Sequence, residues 1–163
     1  MICSANTTGI PEFETEHARN IILETHPTTF DDLVKIYGLL HGTDTWENNA
    51  QDLIKSGTAT LSKVITTRDD IMNYLISVGI DNEIAFEIME YIRKGNARRK
   101  PCKVWEKYKY IMKNHNIPEW YINSGEKISY LFPKAHSVGY VKNYYRMAWY
   151  KLHYPNKFYQ AIS

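Results

Sequence analysis

The residues whose chemistry stands out lie at positions 130–140, which read Tyr-Leu-Phe-Pro-Lys-Ala-His-Ser-Val-Gly-Tyr and run on through aromatic and basic residues to Pro155. Proline has a fixed φ and no N–H, so Pro133 suits a first helical turn, with Lys134 and His136 following in that same turn. Backbone N–H groups at a helix start are unpaired and carry partial positive charge, and a lysine and a histidine beside them make a receptor for phosphate oxygens. The competing expectation is a solvated Lys134 and a packed His136.

Other catalytic constellations are scarce. Asp31-Asp32 and Asp69-Asp70 are adjacent carboxylates in helix first turns, where capping explains them better than metal binding. There is no Gly-x-x-x-x-Gly-Lys-Ser/Thr loop, Gly-x-Ser-x-Gly elbow or His-Glu-x-x-His, and the six histidines are dispersed. Cys3 and Cys102 are far apart and lack metal-ligand spacing, so two reduced thiols are expected. What remains is basic and aromatic groups at helix ends. These can hold phosphates and stack on bases but do not by themselves drive two-metal phosphoryl transfer.

The elements that must position these residues read as helices throughout. Ala18, Ile21, Ile22 and Leu23 form a stripe ended by Pro27, and Thr29 with Asp32 forms a capping box before Phe30, Leu33, Val34, Ile36 and Tyr37. A short helix is expected over residues 48–54, stopped at Gly57. Another starts at Thr67, capped through Asp70, with Ile71, Tyr74, Leu75 and Val78 inward, and Asp81 caps the next, with Ile84, Ala85, Ile88, Met89 and Ile92. Pro101 marks a helix start, with Val104, Tyr108, Ile111 and Met112 inward. Residues 118–121 open a further helix, and residues 134–153 form the longest, closed by Pro155. No strand alternation or internal repeat appears, so the expected fold class is all-α, a compact multi-helix domain of short helices plus one long C-terminal helix.

At 163 residues the chain has room for one domain with a real core; residues 1–8 read as a flexible N-terminus and 9–163 as the domain. Neither a long apolar run nor a signal-peptide pattern is present, which makes the cytoplasm the expected location. The net charge of +2 hides a division: residues 1–90 carry 5 Lys/Arg against 15 Asp/Glu, and residues 91–163 carry 15 against 3. Such asymmetry points to a basic surface for a polyanion, most often nucleic acid, or to a charge match within the molecule.

A resemblance covers nearly all of residues 9–159. Gly-Ile-Pro-Glu-Phe from Gly9, His-Pro-Thr-Thr-Phe from His26, His-Gly-Thr-Asp-Thr-Trp from His41, Asn-Asn-Ala-Gln-Asp-Leu-Ile from Asn48, Thr-Ala-Thr-Leu-Ser from Thr58, Thr-Arg-Asp-Asp-Ile-Met-Asn-Tyr-Leu-Ile from Thr67, Arg-Lys-Gly from Arg93, Ile-Pro-Glu-Trp-Tyr-Ile from Ile117 and Phe-Pro-Lys-Ala-His from Phe132 occur in the order found in one family. Together they resemble the fingers region of PolC-type bacterial DNA polymerase III α subunits.

The resemblance implies a substrate-holding subdomain that meets DNA, a deoxynucleoside triphosphate, and the palm and thumb of a polymerase. The metal-binding aspartates belong to the palm, so no cofactor is expected in this chain and Mg²⁺ would be bound by the palm. The chain would then be an excised fragment or a stand-alone gene product, without nucleotidyl-transfer activity of its own. Carried over by position, Arg93, Lys94 and Lys134 would hold triphosphate charge and His136 would hydrogen-bond near it; Phe132 or Tyr140 would wall the base, and Arg68 would contact phosphate or template. Departures from the family pattern fall at Glu14-Thr15-Glu16, at Asn96 in place of a lysine, at Ser137-Val138-Gly139, at Lys142-Asn143-Tyr144-Tyr145, and in the added basic segment 97–103. The alternative reading is a small basic helical protein that binds DNA, or a polymerase, without polymerase function. Its local support is Ser77-Val78-Gly79-Ile80, similar to the hairpin between two DNA-binding helices.

Overall fold

A computed structural model describes residues 2–99 and 102–162. Among them the regular elements are helices: α1 Glu16–Thr25, α2 Phe30–His41, α3 Gln51–Lys55, α4 Arg68–Ser77, α5 Asn82–Arg93, α6 Lys103–Asn114, α7 Glu119–Lys127, α8 Lys134–His153 and α9 Pro155–Ile162. Extended pairing among the described residues is limited to an isolated antiparallel bridge between Thr43 and Tyr130. The all-α expectation holds. No helix among the described residues is long and apolar enough to cross a membrane.

The helix starts are set by short polar side chains. Asp32 Oδ2 accepts from the N–H groups of Thr28 and Thr29 at 2.9 Å each, and Thr29 Oγ1 accepts from Asp32 N at 3.1 Å, the reciprocal pattern of a capping box. Asp70 Oδ2 takes Thr66 N at 3.0 Å and Thr67 N at 2.9 Å, and Asp81 Oδ1 takes Glu83 N at 2.9 Å. The carboxylates of Asp32 and Asp70, two of the four adjacent aspartates, therefore satisfy orphan backbone donors.

Four expectations are corrected. The helix expected over residues 48–54 begins only at Gln51: Asn48 has φ 56°, and the buried Asn49 side chain donates to Asp44 O at 2.9 Å and Ser124 O at 3.2 Å. A tertiary hydrogen bond from 75 residues away thus overrides local helix preference. In α6 the buried face is Trp105, Tyr108 and Met112, and Val104 is exposed. Trp105 stacks on Tyr91 at 5.8 Å and donates Nε1–H to Glu126 at 2.7 Å, so the larger ring sets the helix phase. Pro155 closes α8 as expected but also starts α9, because a proline needs no intrahelical partner at a first helical position. Leu23 and Phe30, expected inside, are exposed. Pro101 lies outside the described residues.

The chain forms two compact units: Met1–Tyr37 with Ala135–Ser163 (unit 1), and Gly38–Lys134 (unit 2). Unit 1 buries Ile10, Phe13, Ile21, Ile22, Ile36 and Val141. Phe13 meets Tyr37 and Tyr144 edge-on at 6.3 and 5.8 Å. Thr7 is buried and donates Oγ1–H to Phe13 O at 2.6 Å. Unit 2 has its own apolar cluster, from Ile65, Ile71 and Leu75 through Ile88, Ile92 and Trp105 to Met112, Ile122 and Leu131. Within it α4 and α5 pack against each other, joined by a turn in which Gly79 takes φ 89°.

Candidate functional site

The site develops around residues 129–134 of unit 2, a segment between α7 and α8 that is held at almost every backbone position. Thr43 N donates to Tyr130 O at 2.9 Å, and Ser129 N donates to Thr43 O at 3.0 Å. Leu131 N donates to Arg93 O at 3.3 Å, and Phe132 O accepts from Arg68 N at 3.2 Å. Lys134 N donates to Asp69 Oδ2 at 2.7 Å. Ser129 Oγ and Arg98 both bond the Asp44 carboxylate. The Phe132 ring lies 5.4 Å from that of His41. The motif from His41 to Trp46 is therefore a clamp on this segment.

Two of these contacts are reciprocal. Phe132 O satisfies the first N–H of α4, and the Asp69 side chain, in the first turn of α4, satisfies the first N–H of α8. A carboxylate thus already occupies the opening N–H of α8, which the sequence alone suggested as a phosphate receptor. Gly95 packs equally closely: at φ 68°, a Cβ there would stand 2.7 Å from Ser129 O. Only glycine meets both that conformation and that approach without strain.

Beside this segment, Arg68, Asp69, Met72, Phe86, Glu90 and Arg93 line a cavity of about 390 Å³ in unit 2. Glu90 forms a forked pair with Arg93, the Nη2 contact being 2.9 Å, and also meets Lys94 Nζ at 2.8 Å. The Arg93 hydrogen bonds, helped by Lys94 and opposed by partial burial, hold the Glu90 carboxyl at about 2, against its ordinary 4.5. Arg93 is one-quarter exposed and Lys94 about half exposed. Arg68 and Arg93 therefore share one cavity, and the backbone of residues 131–134 is tied to both arginines and to Asp69.

His136 and Tyr140 belong to unit 1. There the His136 ring stacks on Tyr140 at 6.0 Å, and Tyr140 stacks on Tyr37 at 5.5 Å with 15° between planes. Tyr37 is buried, and burial, reinforced by Tyr144, pushes its hydroxyl well above the usual range. Sequence reasoning missed Glu90 and Asp69 as parts of the site. The spacing of Glu90, Arg93 and Lys94 at i, i+3 and i+4 was the available signal, since such positions meet on a helix surface.

The fold is all-helical among the described residues, with two arginines on one cavity beside a segment that packs against Gly95. Residues 1–116 match the bacterial DNA polymerase III alpha subunit finger domain family, and the chain belongs to that family. It is similar to PolC-type DNA polymerases III: 52% identical over 153 residues to that of Caldanaerobacter subterraneus subsp. tengcongensis, 52% over 159 to that of Bacillus cereus, and 50% over 155 to that of Thermotoga maritima. These matches cover 94%, 98% and 95% of this chain but 10%, 11% and 11% of the relatives, so the chain spans about a tenth of their length. Phe132, Lys134, His136 and Tyr140 lie beyond the family match but within the stretch shared with these polymerases.

Proposed function

We propose that this chain is a substrate-holding fingers module of a PolC-type DNA polymerase III, in which unit 2 receives the triphosphate of an incoming nucleotide next to template DNA. The observation that carries the reading is the convergence of Arg68 and Arg93 on one cavity beside the backbone-clamped segment that ends at Lys134. A triphosphate entering there gains charge-assisted contacts from Arg93, Lys94 and Lys134, with Arg68 beside them and Phe132 as apolar wall. Glu90 stands in for that anion when none is bound, keeping the two cations satisfied and positioned. Palm and thumb domains are the proposed partners, and a palm would supply the carboxylates that hold Mg²⁺.

The test is calorimetric titration of the chain with a deoxynucleoside triphosphate. A contact of this kind contributes about 1.5–3 kcal/mol, so Lys134→Ala and Arg93→Ala should each weaken binding by about one to two decades. Changes well under tenfold in both variants would refute the site.

A second reading, a basic helical DNA binder without polymerase function, is favoured by Lys142, Arg146 and Lys157, which lie exposed on α8 and α9 without ion-pair partners among the described residues. Binding of polynucleotide but of no mononucleotide selects it.

A further inference from the structure

The C-terminal helices of unit 1 carry a surface that the nucleotide site does not use. Along α8 and α9, Tyr145, Trp149, Tyr150, Tyr154 and Tyr159 are all exposed, Trp149 at 47% and Tyr150 at 56%. Monomeric surfaces seldom gather large rings in this way without a ligand to cover them. Trp149 lies in the middle of the group: its ring is 4.4 Å from His153, 5.3 Å from Tyr150 and 5.9 Å from Tyr154. Trp149, Tyr150, Tyr154, Lys157, Phe158 and Ile162 border an open cavity of about 730 Å³.

The charge on these two helices has one sign. Residues 134–162 contain no Asp or Glu, while Lys142, Arg146 and Lys157 are exposed and make no ion pair among the described residues. Beside α9, the Glu14 carboxylate is already engaged by Gly9 N at 2.8 Å. The surface is also preformed. Lys151 is buried in α8 and donates Nζ–H to Asn6 O, Asn6 Oδ1 and Thr8 O at 2.9–3.2 Å, with the Tyr159 ring 5.8 Å away. Gly9 then lies directly against Phe158 and Ile162, where a Cβ would collide with Ile162 Cδ1. These contacts fix α9 to residues 6–9.

A partner for this face must be both anionic and planar. An apolar protein segment would leave the cations unanswered. Duplex DNA would answer the cations but hides its base faces inside the stack. Single-stranded DNA offers phosphates to Lys142, Arg146 and Lys157 and unstacked bases to the rings. We infer that the α8–α9 surface centred on Trp149 and Tyr150 binds single-stranded DNA by base stacking. This inference does not rest on the nucleotide-holding role proposed for unit 2.

Trp46 and Trp105 are buried and Trp120 is half-buried, so Trp149 is the tryptophan a ligand reaches most directly. The full 163-residue chain is titrated with an oligothymidylate of about a dozen nucleotides, within the span of known single-strand sites. Tryptophan emission should be quenched, and a duplex of equal length should leave it unchanged. In fluorescence anisotropy of an end-labelled oligothymidylate, a signal that survives removal of the tryptophan, Trp149→Ala and Tyr150→Ala should each weaken binding by about tenfold or more, and Trp149→Phe, which keeps a ring, should restore most of it. Both positions are exposed, so far-ultraviolet circular dichroism of all three variants should match the parent. Arg93→Ala and Lys134→Ala should leave the quench intact, so loss of nucleotide binding in those variants would not bear on this surface. Unaltered oligothymidylate affinity in both alanine variants overturns the inference. So does a result in which they abolish self-association in sedimentation while DNA binding persists, which would assign the face to a second copy of the chain.

Discussion

Glu90 holds two cations at once, and that makes it the residue from which the site's electrostatics can be tested with a sign. If Arg93 and Lys94 receive a triphosphate, Glu90 competes with it. Glu90→Gln should then tighten nucleotide binding by several-fold, whereas Arg93→Ala weakens it. Equal weakening in both variants would mean that Glu90 positions Arg93 rather than masking it. The same residue leaves a mark on stability. Its carboxyl is held at about 2 in the folded chain, by the Arg93 hydrogen bonds first, against an ordinary 4.5. The ionised form is thus favoured by folding, and its contribution is complete above about pH 4.5 and lost as pH falls through about 2. Urea midpoints measured across that window should fall less steeply for Glu90→Gln than for the parent. Parallel curves would show that the pair adds nothing to folding.

At the scale of elements, most of the fold was legible because short polar caps and apolar spacing are local signals. Thr29 with Asp32, Asp70 and Asp81 capped where their positions suggested, and α8 spans residues 134–153 as its spacing implied. Two of the failures share one cause, a partner distant in sequence. Ser124 decides the turn at Asn49, and Tyr91 and Glu126 decide the phase of α6 through Trp105. The site was legible in part for the same reason. The residue types at 93–95 and 132–134 were visible, but their convergence depends on Gly95 lying against Ser129 and on the Arg93 O to Leu131 N bond. No periodicity reports such contacts. The importance of that junction is measurable. Gly95→Ala introduces a left-handed alanine and a Cβ 2.7 Å from a carbonyl oxygen, so it should destabilise the chain by roughly 1–3 kcal/mol. An unchanged urea midpoint would mean that the two segments part without cost.

At the scale of the whole molecule, the carboxylates and the cations answer different questions. Asp32, Asp69 and Asp70 each accept backbone N–H groups at a helix start, so the adjacent pairs are committed to folding. The purified chain should therefore show no primer extension with Mg²⁺ or Mn²⁺; extension that persists after contaminating polymerases are inhibited would refute this. The cations divide more finely than the net charge suggests. Arg93, Lys94, Arg98, Lys109 and Lys113 are all paired with carboxylates in unit 2, through Glu90, Asp44, Glu106, Glu126 and Glu119. Part of the basic half is thus matched internally, and its exposed cations without an ion pair among the described residues divide between Arg99, Lys103, Lys107 and Lys127 in unit 2 and Lys142, Arg146 and Lys157 on α8 and α9. If Lys142, Arg146, Lys157 and one further cation neutralise about four phosphates, log K for duplex DNA should fall against log salt with a slope of roughly −3 to −4, and for single strands somewhat less steeply. The duplex slope should be nearly independent of sequence, because phosphates carry no base information. Replacing Lys142 and Lys157 by alanine should reduce its magnitude by about two. A flat dependence would show that the cations stay with their carboxylates, and a slope unmoved by the double substitution would place the DNA contact on the exposed cations of unit 2, Arg99, Lys103, Lys107 and Lys127.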